Sequence, residues 1–206
     1  MSSHYLIFDF DGVIGDTWEV TIAAYLKNGS KPSREAAILG MNQYFSTLPQ
    51  HTRLHTLTSE QLADQHQRAE NFGKIVHKIG FDLFNDFVHK IESLPTPYKA
   101  IVSSGSQKYV LLALAKTNIN PTHILAFEDH HSKEDKIETI CTDWGVTPND
   151  VYYFTDSLAD AYELQDFISP EKLIGVAWGF CGREVLLKEL KPEYILDTSY
   201  DIHRVL

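Results

Sequence analysis

Two aspartates at the end of the first apolar segment are the residues best suited to chemistry. Residues 5–17 read YLIFDFDGVIGDT, so Asp9 and Asp11 follow a run typical of a buried strand and are separated by one phenylalanine. An unpaired charge in an apolar interior costs roughly several kcal/mol. We therefore expect these carboxylates to be ion-paired, exposed at the strand end or bound to a cation. If the strand continues through Asp11, both acids point the same way.

Two further segments end in polar residues that could meet these acids. The segment AIVSSGS is followed by a predicted helix, a setting suited to an anion. It delivers two hydroxyl side chains and a glycine, namely Ser103, Ser104 and Gly105. The segment YYFTDSLAD delivers Asp156, with Asp160 four residues later on the same helical face. Lys133, at the start of the preceding helix, can bring a positive charge to the same place.

Carboxylates, hydroxyls and an ammonium group gathered in this way predict phosphoryl chemistry. A hard divalent cation, Mg²⁺ above all, would relieve the repulsion between the acids and attract a phosphoryl group. Ser103, backbone N–H groups and Lys133 would hold the other phosphoryl oxygens. One carboxylate could then attack phosphorus, while a second, two residues on, transfers the proton of the leaving group. The competing interpretation is that Asp9 and Asp11 are solvated acids at a strand end.

The segments that deliver these residues alternate between strand and helix patterns. Six short apolar runs are predicted to be strands: residues 5–10, 98–104, 122–129, 150–156, 172–178 and 193–197. Helical spacing begins at residues 106, 133, 157 and 182. Because the strand runs are continuously apolar, we expect an α/β fold with a Rossmann-like, doubly wound parallel sheet that is buried on both faces. In such a sheet, functional groups collect at the carboxyl ends of the strands.

The interval from residue 17 to 95 follows a different pattern. Helical stretches are predicted at residues 17–28, 33–48, 59–79 and 81–94, and no strand is predicted there. We interpret residues 17–95 as a helical domain inserted after the first strand, with residues 1–16 and 96–206 forming the α/β core domain. The two prolines of PTPYKA mark the return to the core.

Charge and composition restrict the classes of partner. With 18 basic and 28 acidic residues, the formal charge is -10, which argues against nucleic acid or an anionic membrane as the main partner. No segment approaches the roughly 18 apolar residues of a membrane span, and the first residues lack a signal-peptide pattern. Cys141 and Cys181 are too few for a disulfide scaffold and lack zinc-ligand spacing. These observations favour a cytoplasmic protein with reduced cysteines.

Four segments resemble, in order and spacing, the motifs of the haloacid dehalogenase superfamily of aspartate-nucleophile phosphohydrolases: FDFDGV, IVSSG, SKEDKIETI and YYFTDSLAD. This resemblance implies that Asp9 is the nucleophile and a Mg²⁺ ligand. It also implies that Asp11 is the general acid/base, which lends its backbone carbonyl to the metal, and that Asp156 is the remaining metal carboxylate. Ser103 and Lys133 would hold the phosphoryl group, with Ser104 and Gly105 beside them.

The same resemblance extends to the architecture. Residues 17–95 are similar to the helical cap that closes over the site in this superfamily. The core sheet would have five parallel strands in the order 5-4-1-2-3. The tail GVAWGFCGREVLLKELKPEYILDT looks like the end of phosphoglycolate-phosphatase-like members.

The third motif departs from the pattern of that subgroup because it lacks the Gly-Lys-Pro-x-Pro-Asp run. Lys133 and Lys136 are therefore rivals for the role of the active-site lysine. The separation between Lys133 and Asp156, 156 minus 133 or 23 residues, favours Lys133. Lys136 is then interpreted as a solvated helix lysine. Thr155 stands where many members have glycine, and Asp160 either assists the metal site or stabilises a helix N-terminus.

The sequence therefore predicts a Mg²⁺-dependent phosphatase that hydrolyses a small phosphorylated metabolite through an aspartyl-phosphate intermediate. One alternative is a phosphomutase of the same superfamily, and another is a non-catalytic phosphate-binding protein that retains the fold. A phospho-receiver domain is disfavoured because it would present adjacent acids on its first strand and no helical insertion of this size. The sequence specifies neither the substrate nor the oligomeric state.

Overall fold

Short apolar segments form the strands and the intervening amphipathic segments form the helices. The computed structural model describes residues 4–47, 58–130 and 132–206. In chain order the strands are β1 (Tyr5–Asp9), β2 (Gly15–Asp16), β3 (Asp82–Leu83), β4 (Lys99–Val102), β5 (His123–Leu125), β6 (Val151–Thr155), β7 (Leu173–Val176) and β8 (Ile195–Leu196). The α-helices are α1 (Trp18–Lys27), α2 (Arg34–Ser46), α3 (Ser59–Ile79), α4 (Asn85–Ser93), α5 (Gln107–Leu114), α6 (Lys133–Trp144), α7 (Leu158–Leu164), α8 (Gly182–Leu186) and α9 (Ile202–Val205).

Six of the strands form one parallel sheet in the order β5-β4-β1-β6-β7-β8. The prediction of a doubly wound α/β fold is confirmed. Without β8, the sheet has the order expected for the five-stranded core. The expectation of five strands was incomplete, because β8 adds a sixth strand beside β7 at the edge of the sheet.

Side chains that alternate along β1 enter two different apolar layers. Leu6 and Phe8 belong to one cluster, which includes Phe87 of α4 and Val110 of α5. Ile7 belongs to a second cluster on the opposite face of the sheet, and residues of α6 and α7 complete that cluster. This alternation is the two-residue period of a strand, and burial on both faces explains why the strand segments are continuously apolar.

The segment between β1 and β4 contains helices α1 to α4. The prediction that it contains no strand was wrong, because β3 pairs antiparallel with β2 through Gly15 opposite Leu83 and Asp16 opposite Asp82. Two residues are too few to produce a readable strand pattern. Leu48, the last residue of one predicted helix, lies outside the described residues. The division into a core and a cap domain stays a prediction.

The described residues include no membrane-spanning helix and no reactive cysteine. None of their helices is both long enough and apolar enough to cross a membrane. Cys141 and Cys181 are free thiols, and burial raises the pKa of Cys141 to about 12 and that of Cys181 to about 11. Thiols with raised pKa values are poor nucleophiles at neutral pH, so neither cysteine is a candidate for chemistry.

Candidate active site

The register of the central strands brings the predicted polar residues to one edge of the sheet. Strand β1 lies between β4 and β6, with Asp9 opposite Val102 and Phe8 opposite Phe154. Because all three strands are parallel, the residues that follow them emerge side by side. Asp9 at this edge is only 6% exposed, so its charge requires a partner.

Lys133 supplies that partner. Its Nζ lies 2.6 Å from Oδ2 of Asp9 and 2.9 Å from Oδ2 of Asp160. Burial disfavours the ammonium, but the two carboxylates outweigh burial and raise the pKa of Lys133 above its ordinary value. Helix α6 is fixed at this end because the Ser132 hydroxyl accepts a hydrogen bond from the backbone N–H of Asp135. Of the two rival lysines, Lys133 is therefore the one that contacts Asp9.

The carboxylate of Asp160 orients the Lys133 side chain. Besides Lys133, its Oδ2 accepts hydrogen bonds from the Tyr153 hydroxyl at 2.9 Å and the Thr155 hydroxyl at 2.8 Å. These donors, with Lys133, hold the pKa of Asp160 below its ordinary value even though burial opposes ionisation. Thr155, the departure from glycine noted in the sequence, is thus one of the groups that stabilise the Asp160 carboxylate.

The interpretation of Lys136 as a solvated lysine was wrong. Lys136 is fully buried, and its Nζ donates a 2.6 Å hydrogen bond to the carbonyl oxygen of Ser103. Burial, reinforced by the charge of Lys133, lowers the pKa of Lys136 to about 7. Lys136 lies one helical turn after Lys133 and points at the backbone of the loop that follows β4.

Asp11 occupies a different environment from Asp9. Strand β1 ends at Asp9 and the chain then turns, so the strand does not continue through Asp11 and the condition for both acids to point the same way is not met. Oδ2 of Asp11 accepts hydrogen bonds from the Tyr109 hydroxyl at 2.7 Å and the Ser103 hydroxyl at 3.2 Å. Burial raises the pKa of Asp11, although these donors oppose the increase.

The Ser103-Ser104-Gly105 segment is divided between two environments. Ser103 is buried, and its hydroxyl oxygen also accepts a 2.8 Å hydrogen bond from the backbone N–H of Gly105. Ser104 and Gly105 line the cavity above Asp9. Neither serine begins helix α5, whose first residue, Gln107, donates its backbone N–H to Glu128.

Asp156 is a buried carboxylate with no salt bridge among the described residues. The backbone N–H of Phe180 donates a 2.5 Å hydrogen bond to its Oδ2. Burial raises the pKa of Asp156 to about 7, and the charge of Asp160 adds to the increase. Gly12, at φ +75°, and Gly179 leave room for this carboxylate, since a Cβ on Gly12 would lie 1.9 Å from Oδ2.

This environment fits a divalent cation. Asp156 and Asp9 are neighbouring buried carboxylates at the ends of adjacent strands, and oxygen donors of this kind suit Mg²⁺. Within residues 4–47, 58–130 and 132–206, no three His, Cys, Asp or Glu side chains are grouped as metal ligands. The predicted ligand set does not require such a group, because the protein would supply only the side chains of Asp9 and Asp156 and the backbone carbonyl of Asp11.

A cavity of about 680 Å³ opens above these groups. Asp9, Asp11 and Lys133 lie in its wall together with residues of α1 and α3. Its volume falls in the range of roughly 300–1,000 Å³ that is usual for small-molecule sites. The arrangement therefore gives a small molecule access to a carboxylate, a second acid held by hydroxyl groups and an ammonium.

Three residues of this site were not predicted from the sequence. Tyr109 lies in the first turn of α5, the helix that follows the polar loop after β4. That position is the only feature of the sequence that could have indicated a role for Tyr109 in the site. Tyr153 reads as an ordinary core residue of a strand. Glu163 is buried, and its Oε1 accepts a 2.7 Å hydrogen bond from the backbone N–H of Lys133. Nothing in the sequence distinguishes Glu163 from an acidic residue on the surface of a helix.

Buried acids and a paired lysine at the carboxyl edge of a parallel α/β sheet are typical of an enzyme active site. The chain belongs to the haloacid dehalogenase-like hydrolase family, whose model matches residues 6–163. The resemblance found in the sequence is thereby confirmed. A comparison of the sequence with curated proteins finds no match.

Solved structures share the fold over nearly the whole chain. A predicted phosphoglycolate phosphatase from Haemophilus somnus 129PT is 17% identical with a TM-score of 0.71, and the match covers 98% of this chain and 97% of the other. A Bacteroides fragilis protein described as a haloacid dehalogenase-like hydrolase is also 17% identical, with a TM-score of 0.71 and coverage of 98% and 100%. A haloacid dehalogenase-like family hydrolase from Streptococcus pneumoniae is 16% identical, with a TM-score of 0.68 and coverage of 98% and 97%.

Proposed function

We propose that the protein is a Mg²⁺-dependent phosphatase that hydrolyses a small phosphate monoester through an aspartyl-phosphate on Asp9. The observation that carries the proposal is the pairing of Asp9 with Lys133 at 2.6 Å beside the separately held Asp11, all within one cavity. A carboxylate, a fixed cation and a second acid are the groups that stepwise phosphoryl transfer requires.

In the first step, a carboxylate oxygen of Asp9 attacks phosphorus and forms a new P–O bond. The ester P–O bond breaks, and the departing alkoxide takes a proton from Asp11. Lys133 stabilises the negative charge on Asp9 and the phosphoryl oxygens. Ser103 and Tyr109 keep Asp11 in place, because both donate hydrogen bonds to its Oδ2.

In the second step, water attacks the phosphorus of the aspartyl-phosphate. Asp11, now ionised, takes a proton from that water, and the P–O bond to Asp9 breaks to release inorganic phosphate. The side chains of Asp9 and Asp156 with the backbone carbonyl of Asp11 would hold Mg²⁺. When bound, Mg²⁺ neutralises phosphoryl charge and offsets the repulsion between these carboxylates.

The test begins with the release of phosphate from p-nitrophenyl phosphate, with Mg²⁺ and after exhaustive chelation. We expect turnover only with the metal. Protein quenched in acid during turnover should carry one added phosphoryl group on the peptide that contains Asp9, as measured by mass spectrometry.

Asp9→Asn should abolish both turnover and the phosphorylated peptide, because the amide removes the nucleophile. Asp86→Asn is the matched control, since Asp86 is an exposed residue of α4 outside the cavity. Turnover that survives chelation, or that persists in Asp9→Asn, would overturn the proposal.

A further inference from the structure

The ring of Phe180 packs in an apolar cluster built by helices α1 and α2. Buried residues of these two helices form the centre of the cluster, and Phe180 is its one described member from outside them. The Phe180 ring meets the Trp18 ring of α1 at a centroid distance of 5.2 Å and the Phe45 ring of α2 at 5.0 Å, both edge-on. Contacts of this geometry favour one ring position, so α1 and α2 fix this side chain.

The backbone of Phe180 contacts the predicted metal site. Its N–H group donates a 2.5 Å hydrogen bond to Oδ2 of Asp156, which is buried. Gly179 allows the chain to come this close, because a Cβ there would overlap the Asp156 side chain and lie 2.5 Å from the carbonyl oxygen of Gly12. A buried carboxylate takes its orientation from its hydrogen-bond donors, so the position of Phe180 influences the direction of the Asp156 oxygens.

The end of α2 makes two more contacts with the same part of the chain. The carbonyl oxygen of Phe45 accepts hydrogen bonds from the Ser157 hydroxyl and from Sγ of Cys181, each at 3.3 Å. Ser157 directly follows Asp156, and Cys181 directly follows Phe180. Helix α2 therefore holds both partners of the hydrogen bond between Phe180 and Asp156.

We infer that Phe180 is a positioning residue for the metal site: the packing of its ring between α1 and α2 fixes the backbone N–H that orients Asp156. This inference rests on the proposed function, in which Asp156 is a ligand of Mg²⁺. Tyr25 of α1 and Tyr44 of α2 line the cavity. The wall beside the substrate and the carboxylate that binds the metal therefore depend on the same two helices.

Metal binding in the absence of substrate tests the inference. The free energy of unfolding in urea is measured with and without Mg²⁺, because a ligand that binds only the folded chain stabilises it by RT ln(1 + [L]/Kd). Asp156→Asn measures the part of this gain that comes from other sites. A residue that only contributes packing would change the stability without Mg²⁺ and leave Kd unchanged.

Two variants loosen the support of Asp156 without replacing the carboxylate. Phe180→Leu removes the ring and should raise the Kd for Mg²⁺ about ten-fold, as loss of a group that orients a metal ligand does. Trp18→Leu removes one of the two aromatic neighbours of Phe180 and should raise Kd about three-fold. Trp18→Phe keeps a ring beside Phe180 and should return Kd close to the wild-type value.

Trp144→Leu is the matched control. Trp144, like Trp18, is half-buried, but its ring packs 5.6 Å from that of Tyr5, at the opposite end of β1 from Asp9. This substitution should lower the stability without Mg²⁺ and leave Kd unchanged.

The outcomes separate this inference from the proposed function. If Mg²⁺ stabilises the wild type more than Asp156→Asn, but Phe180→Leu and Trp18→Leu bind it as tightly as the wild type, the inference is wrong and the proposed metal site stands. An equal increase of Kd in Trp144→Leu would also overturn the inference, because any loss of packing would then weaken the metal site. If Mg²⁺ stabilises the wild type no more than Asp156→Asn, both the inference and the proposed metal site fail.

Discussion

Replacing Lys136 with methionine should change the way in which stability depends on pH. Lys136 is fully buried, and its pKa of about 7 lies well below the ordinary lysine value of 10.5. Burial is the main cause, because an ammonium without a countercharge is poorly solvated in an apolar interior. The Nζ group contacts the Ser103 carbonyl at 2.6 Å, which is a hydrogen bond but not an ion pair. Methionine has similar length and carries no charge.

The sign and size of the effect follow from proton linkage. Between about pH 7 and 10.5 the unfolded chain holds a proton on Lys136 that the folded chain has lost, so the stability of the wild type rises with pH. Over the whole window the difference of about 3.5 pH units corresponds to about 5 kcal/mol. Between pH 7.5 and 9.5 we expect a gain of about 2 to 3 kcal/mol from this residue.

Urea unfolding of the wild type and Lys136→Met at these two pH values measures the effect. The free energy of unfolding of the variant, relative to the wild type, should be about 2 to 3 kcal/mol higher at pH 7.5 than at pH 9.5. Lys116→Met is the control, because Lys116 is exposed and its variant should follow the pH profile of the wild type. A difference between Lys136→Met and the wild type that does not change with pH would refute this account of the buried lysine.

Three further predictions concern the candidate active site. Lys133→Ala should lower kcat and raise KM, so that kcat/KM falls about 10²-fold or more, because Asp9 and Asp160 then face each other without the ammonium. Wild-type kinetics in this variant would contradict the role of Lys133. Tyr109→Phe should slow the hydrolysis of alkyl phosphates about ten-fold, but that of p-nitrophenyl phosphate less, because only the alkoxide needs a proton from Asp11; equal losses would argue against this positioning role. Gly12→Ala should abolish turnover and lower the midpoint of urea unfolding, since its Cβ would lie 1.9 Å from Oδ2 of Asp156; an active, stable variant would show that this loop can rearrange.

The sequence was sufficient for elements whose signals are local. Helix α3 spans Ser59–Ile79, as predicted, because Thr58 and Gln61 form a capping box at its start and Gly80, at φ +82°, follows its end. The six strands of the main sheet were found because burial on both faces requires continuous apolar runs. Two-residue strands have no such pattern, so the pairing of β2 with β3 was not predictable.

The positions of the acids were also readable from the chain. Asp9 and Asp156 directly follow apolar runs, and parallel strands deliver such residues to the same edge of a sheet. Since that rule depends only on strand direction, the sequence alone could place both carboxylates in one site. It could not show that Tyr109 holds Asp11, because this hydrogen bond joins residues 98 positions apart.

The separation from Asp156 favoured Lys133 over Lys136, but only the tertiary structure showed what each lysine contacts. The two lysines are three residues apart, so helical spacing places them on similar faces of α6 and does not predict different contacts for them. The contact of each lysine depends on how α6 docks against the sheet and α7. In the observed packing, the first turn of α6 places Lys133 against Asp9 and Asp160. Lys136 lies one turn later, and there it contacts the carbonyl oxygen of Ser103 in the loop after β4. Sequence therefore determined which groups reach the edge of the sheet, and packing determined which of them meet, because contacts between distant segments depend on their relative orientation and not on local spacing.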